Sequence, residues 1–142
     1  MKIIVMALAA TVIALSGYSQ KIQEKDLPVA VKESFHKSYA SAKQVKWDKE
    51  KENYEASFDW NGADHSVLYN AEGQTVETEV EIKVSELPAA AKQYMETHYN
   101  GKTIKEAAKI TDAKQVITYE AEIKGMDVLF DAQGKFIKTV KD

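Results

Sequence analysis

From Leu27 to Tyr39 the apolar residues fall at Leu27, Ala30, Val31, Phe35 and Tyr39. This i, i+3/i+4 spacing predicts a helix with one buried face. Lys32, Glu33, His36 and Lys37 take the other side, with Glu33 and Lys37 in the favourable i,i+4 order. Asp26 stands where a cap is expected, and Pro28 falls in the first turn. Beyond the helix the period changes to two. Tyr54, Ala56, Phe58 and Trp60 alternate with Glu55, Ser57 and Asp59, and Val76, Val80 and Ile82 alternate with Glu77, Glu79 and Glu81. Such alternation predicts antiparallel strands with one face covered and one wet.

The pattern is written twice. Val67-Leu68-Tyr69-Asn70-Ala71-Glu72-Gly73 returns as Val128-Leu129-Phe130-Asp131-Ala132-Gln133-Gly134. Each copy reads as a strand entering a tight turn, where Asn or Asp bonds the turn backbone and Gly takes the positive φ. Leu27-Pro28 returns as Leu87-Pro88, Tyr39 as Tyr99, and Tyr54-Glu55-Ala56 as Tyr119-Glu120-Ala121. A second helix is therefore expected on Leu87, Ala90, Ala91, Tyr94, Met95 and Tyr99. The repeats span about 26–82 and 86–142, each one helix followed by four strands. The expected strands are Gln44–Asp48, Asn53–Trp60, Asp64–Asn70 and Gln74–Ile82, then Thr103–Ile110, Gln115–Lys124, Met126–Asp131 and Lys135–Val140. Asn61-Gly62 is a strong hairpin signal, and Lys124-Gly125 is its counterpart. Lys49-Glu50-Lys51-Glu52 reads as the solvated tip of the first hairpin. The linker Lys83-Val84-Ser85 is too short to separate two domains, which favours one continuous sheet. The fold class is α+β: two tandem repeats forming one antiparallel sheet, both helices packed on one face.

The N-terminus sets the compartment. Lys2, the apolar run Ile3–Leu15, and small residues at Gly17 and Ser19 form the pattern of a secretory signal peptide over 1–19. The run falls short of the roughly 20 apolar residues of a spanning helix. The expected mature chain, 20–142, is a single domain of 142 − 19 = 123 residues in the periplasm or secreted, with no membrane span. Its formal charge moves from −3 to −4 as Lys2 is lost. All 19 basic residues are Lys. An acidic chain without an Arg fork or a basic block argues against nucleic acid as a partner. With no Cys there are no disulfides, no thiolate chemistry and no cysteine-linked lipid anchor. The apolar core alone must hold the fold.

A helix opening Leu-Pro and closing on Tyr, a meander carrying Tyr-Glu-Ala, and a turn of the form Asn/Asp-x-x-Gly, all twice behind a signal peptide, resemble the PepSY-like exported proteins with a β-lactamase-inhibitor-like fold. The resemblance covers nearly all of the chain after residue 19. It implies the same fold, a periplasmic or secreted location, and a role in binding or inhibiting a protein through the sheet. It implies no catalytic motif.

The candidate chemistry is thin. His36, His65 and His98 sit on three elements without metal-ligand spacing, and solvated or satisfied histidines are the expectation. Asp59–Asp64 has alternating acids around Gly62 but lacks the closing Glu of a calcium loop. No nucleophile elbow or triad order is present. No metal, cofactor or catalytic residue is expected, and the protein reads as a non-enzyme.

The wet sheet face is the exception. If Val67 and Tyr69 point inward, Leu68 points out, and by the same parity so does Leu129. Glu55, Glu77, Glu79, Glu120 and Glu122 ring them, and Trp60 at a hairpin end can join. An apolar spot in an acidic field is the expected binding face for an envelope or secreted protein. A carboxylate-dependent enzyme or a self-associating envelope component are the alternatives.

Overall fold

The computed structural model describes residues 19–141. The expected signal peptide lies outside them, apart from Ser19. Among the described residues no helix is long and apolar enough to cross a membrane. Nine strands of the described residues form one antiparallel sheet in strict chain order. They are β1 (Gln20–Ile22), β2 (Lys43–Glu50), β3 (Asn53–Trp60), β4 (Ala63–Tyr69), β5 (Thr75–Ile82), β6 (Glu106–Asp112), β7 (Ile117–Ile123), β8 (Met126–Asp131) and β9 (Phe136–Lys141). Among the described residues two α-helices accompany the sheet, α1 (Val29–Ser38) and α2 (Ala89–His98). The eight expected strands and two helices are present, each bound within three residues of its expected place. The addition is β1, which pairs Lys21 with Asp48 and Ile22 with Trp47.

The helix starts differ from expectation. Asp26 does not cap α1 but closes a 3-10 turn, Glu24–Asp26, and Leu27 and Pro28 are extended. A proline disfavours helical backbone in the residue before it, so the helix cannot start at Leu27; Pro28 stands extended at the N-cap and the helix begins at Val29. The second repeat does the same at Val84–Glu86 and Leu87-Pro88, and there the Glu86 carboxylate accepts the Lys83 N–H at 2.7 Å.

The duplicated turn does two jobs at once. Asn70 Oδ1 accepts the Gln74 N–H at 2.9 Å, and Asp131 Oδ1 accepts those of Gln133 and Lys135. Gly73 and Gly134 have φ of 79° and 85°. Each also lies against a helix. A Cβ on Gly73 would run into the Ala30 carbonyl and Ser34, and one on Gly134 would stand 2.8 Å from the Ala91 nitrogen.

Each helix covers its own repeat. Leu27, Val31 and Phe35 pack on Trp47, Ala56, Phe58, Val67 and Tyr69. Leu87, Ala91 and Met95 pack on Ala107, Ala121, Ile123, Val128 and Phe130. Phe35 meets Trp47 and Phe58 edge-on at 5.1 and 5.0 Å. β5 joins the two halves by pairing with both β4 and β6.

Candidate binding face

Strand residues of one parity face the helices, and those of the other parity point away. Cross-strand pairing assembles the second set into rows. Asp48, Glu55, Leu68, Glu77 and Asp112 form one row across β2 to β6. Ser57, Ser66, Glu79, Ile110 and Thr118 form the next. Glu81, Ala108, Glu120, Leu129 and Lys138 form a third. Glu122 and Asp127 stand opposite each other beyond it. The structure thus brings Leu68, Leu129, Glu55, Glu77, Glu79, Glu120 and Glu122 onto one face.

Two expectations about that face need correction. Its centre is not wet: Leu68 is 1 % exposed, Glu77 5 % and Glu79 3 %, and Glu55, Glu120 and Leu129 are buried too. Side chains in adjacent strands stand ~5 Å apart along each row, so those in the middle of the sheet are flanked by neighbours on several sides and cover one another. Water returns at the margins, where Asp64 and Glu81 are exposed and Asp48, Asp59 and Glu122 are half-buried. Trp60 is on the other side. Its ring lies edge-on to Tyr39 at 5.0 Å and to His65 at 5.4 Å, at the rim of the first core. The period that pairs it with Phe58 and Ala56 decides this, not its place at a hairpin end.

Burial dominates the electrostatics. It pushes the Glu55 carboxyl up to about 8, against the Ser66 hydroxyl, which donates to Glu55 Oε1, and with a further push from Glu50. Burial and then the charges of Asp112 and Glu50 raise Glu77 to about 7. Glu79 lies well above the usual carboxylate range, first from burial and then from Glu120 and Glu77. Glu77 Oε1 and Glu79 Oε2 have no hydrogen-bond partner among the described residues. A buried oxygen without a donor is destabilising, and protonation reduces that cost without supplying a partner.

The sequence missed several members of the face. Glu50 was read as part of a hairpin tip, but it ends β2 on this side, and only Lys51-Glu52 make the turn. Ser66, Asp112 and Asp127 were also passed over. Extending the period of two through β2, β4, β6 and β8 would have found them.

The histidines do three separate local jobs. His36 bonds Glu24, His65 stacks on Phe58 with Nδ1 3.0 Å from the Ala63 carbonyl, and His98 stacks on Tyr94 at 3.9 Å. Among the described residues no group of three acidic or imidazole side chains is arranged to hold a metal ion. Asp59 and Asp64 pair across the Asn61-Gly62 hairpin, and the Asp64 hydrogen bond raises the Asp59 carboxyl.

The family described as "Putative beta-lactamase-inhibitor-like, PepSY-like" matches residues 15–75 and, overlapping, 60–138. No curated protein matches the chain. Solved structures share the fold. A "putative periplasmic" protein of Bacteroides eggerthii superposes with a TM-score of 0.70 at 19% identity, over 81% of this chain and 88% of that one. A DUF2874 family protein of Bacteroides uniformis gives 0.68 at 22%, over 80% and 88%. A BLIP-like protein of Bacteroides fragilis gives 0.61 at 22%, over 79% and 84%. Likeness at this identity carries the fold and nothing finer.

Proposed function

Because the chain belongs to the PepSY-like, β-lactamase-inhibitor-like family, we propose that it is an exported, non-enzymatic binding module, freed of residues 1–19 and acting in the periplasm. It takes an envelope or secreted protein on the sheet face that points away from both helices. One observation carries this reading: Leu68 and Leu129 occupy the same place in both repeats, amid carboxylates whose buried oxygens Glu77 Oε1 and Glu79 Oε2 have no donor among the described residues. A partner that brings hydrogen-bond donors to this face would satisfy those oxygens. The family's description and the BLIP-like relative support a protein as that partner.

Leu68 and Leu129 are too buried for a polar substitution to leave the fold intact, so the test uses the margin. The chain from Gln20 onward is used as bait in envelope extract beside an Asp64→Lys/Glu81→Lys/Glu122→Lys variant of equal thermal stability. A partner held by the first and lost by the second is expected. A partner retained by the variant, or none captured at all, would overturn the reading.

Carboxyls titrating near neutrality also favour a second reading, a carboxylate-dependent enzyme. Acid–base chemistry needs two groups driven apart. Here Glu55, Glu77 and Glu79 are all driven the same way, which ranks catalysis below binding. Turnover of any glycoside or peptide substrate that Glu55→Gln abolishes would reverse the order.

A further inference from the structure

β5 and β9 are the same strand of the two repeats, each entered from the turn glycine and each with its register shift at the same place. Glu77 matches Lys138, one opposite Leu68 and the other opposite Leu129. Their outer edges differ. On β5, residues from Glu77 to Val80 pair with Asp112 to Lys109 of β6, the strand that opens the second repeat's meander. β9 ends the sheet, and among the described residues no strand lies beyond it. Alternate residues of an antiparallel strand turn their N–H and C=O groups to one neighbour or the other. On β9 the set that β5 gives to β6 therefore has no strand to bond. Exposure follows the missing neighbour: Glu77 and Glu79 are buried, whereas the matched Lys138 and Val140 are only half-buried. The side chains change as well. Phe136 and Ile137 are 36 % and 49 % exposed, and Phe136 stacks on Tyr94 at 4.8 Å. In the first repeat Thr75 and Ser34 stand at the places of Phe136 and Tyr94. An open edge that is more apolar than its covered counterpart invites a further strand.

We infer that β9 takes an extended acidic segment of a partner protein as an added antiparallel strand, in the place that β6 holds on β5. Charge selects this occupant. Residues 135–141 carry Lys135, Lys138 and Lys141 and no acid, in a chain whose net charge is −3. A second β9 laid antiparallel and centred on Lys138 would set lysine against lysine, Lys135 facing Lys141 at each end. Like charges directly opposed across a ladder are destabilising, so the edge deters its own copy. Carboxylates at the same spacing reverse the sign. Main-chain hydrogen bonds would hold the added strand, and its acids would set which strand is accepted. This edge is a separate surface from the sheet face proposed above, and either can stand without the other.

The test is an amide-resolved NMR titration of the chain from Gln20 onward with two capped peptides. One is Glu-Val-Thr-Glu-Val-Thr-Glu, with acids at the spacing of the lysines, and the other has Lys in place of each Glu. Shifts along β9 with the acidic peptide alone are expected, with slowed hydrogen exchange at alternate β9 amides, which side-chain contact by itself would not produce. Lys138→Glu with Lys141→Glu should weaken that binding at least about tenfold. Lys138→Gln with Lys141→Gln lowers it in the same direction and serves should the first variant fail to fold. Lysines that only blunt the edge would leave it inert to both peptides, and that result would overturn the inference. So would equal response to the two peptides, shifts without slowed exchange, or shifts centred on β1 or on Leu68 and Leu129. Shifts at β9 that grow with protein concentration in the absence of peptide would assign the edge to a second copy and overturn it as well.

Discussion

Gly73 and Gly134 are where single atoms decide most. Both need positive φ, and both leave no room for a Cβ against the helix of their own repeat. Gly73→Ala and Gly134→Ala should each cost about 2–4 kcal/mol, the left-handed penalty plus the displacement of packed backbone. Gly62→Ala is the control. It has φ of 79° with nothing within 4 Å, so only the backbone penalty of about 1–2 kcal/mol is expected. Urea denaturation of the three variants separates the contributions. The buried carboxyls give a second prediction at this scale. Folded, Glu55 and Glu77 hold protons up to about 8 and 7, whereas unfolded they release them near 4.5. Their contribution is complete below 4.5 and is lost as pH rises through 7 to 8. The melting temperature should fall between about pH 5 and 8, and Glu55→Gln with Glu77→Gln should flatten the slope.

The hairpins show how local chemistry sets an element's stability. Asn61 and Gly62 take φ of 51° and 79°, values their residue types adopt readily. The β2–β3 turn asks the same of Lys51, at φ 54°, a residue with no such preference. Lys51→Gly should therefore raise stability by about 1 kcal/mol, read from the urea midpoint at unchanged slope. A lower midpoint would mean that Lys51 makes a contact worth more than its strain. At the helix starts the repeated Leu-Pro gives the same outcome twice, a 3-10 turn, two extended residues and then the helix. The expected Asp26 cap failed because it placed the helix start ahead of the proline's own constraint on Leu27.

Over the whole molecule the sheet is continuous but the cores are two. Phe35 and Met95 belong to different clusters, each under its own helix. Phe35→Ala should cost about 3–5 kcal/mol and Met95→Ala about 2–5 kcal/mol. With no shared neighbours, the double variant should equal their sum within about 0.5 kcal/mol in a denaturation cycle. A larger coupling would show that β5 transmits packing between the halves. The repeat, the helices and eight strands were legible because apolar periodicity and turn residues are local signals. The face's membership was legible through the same parity, Trp60 being misplaced only where its hairpin-end position was weighed above that parity.

By itself, then, the sequence determined the duplicated helix-and-meander order, the two turn glycines, the side to which each strand residue points, and the absence of thiols and arginine. Tertiary structure alone decided the rest. Strand pairing set Glu77 opposite Leu68 and Lys138 opposite Leu129, and drew Glu50 from a presumed loop tip into an acidic cluster. It also turned a face expected to be wet into one with a buried centre. Parity says which way a side chain points. Whether water reaches it depends on what the paired strands bring alongside, and no local pattern encodes that.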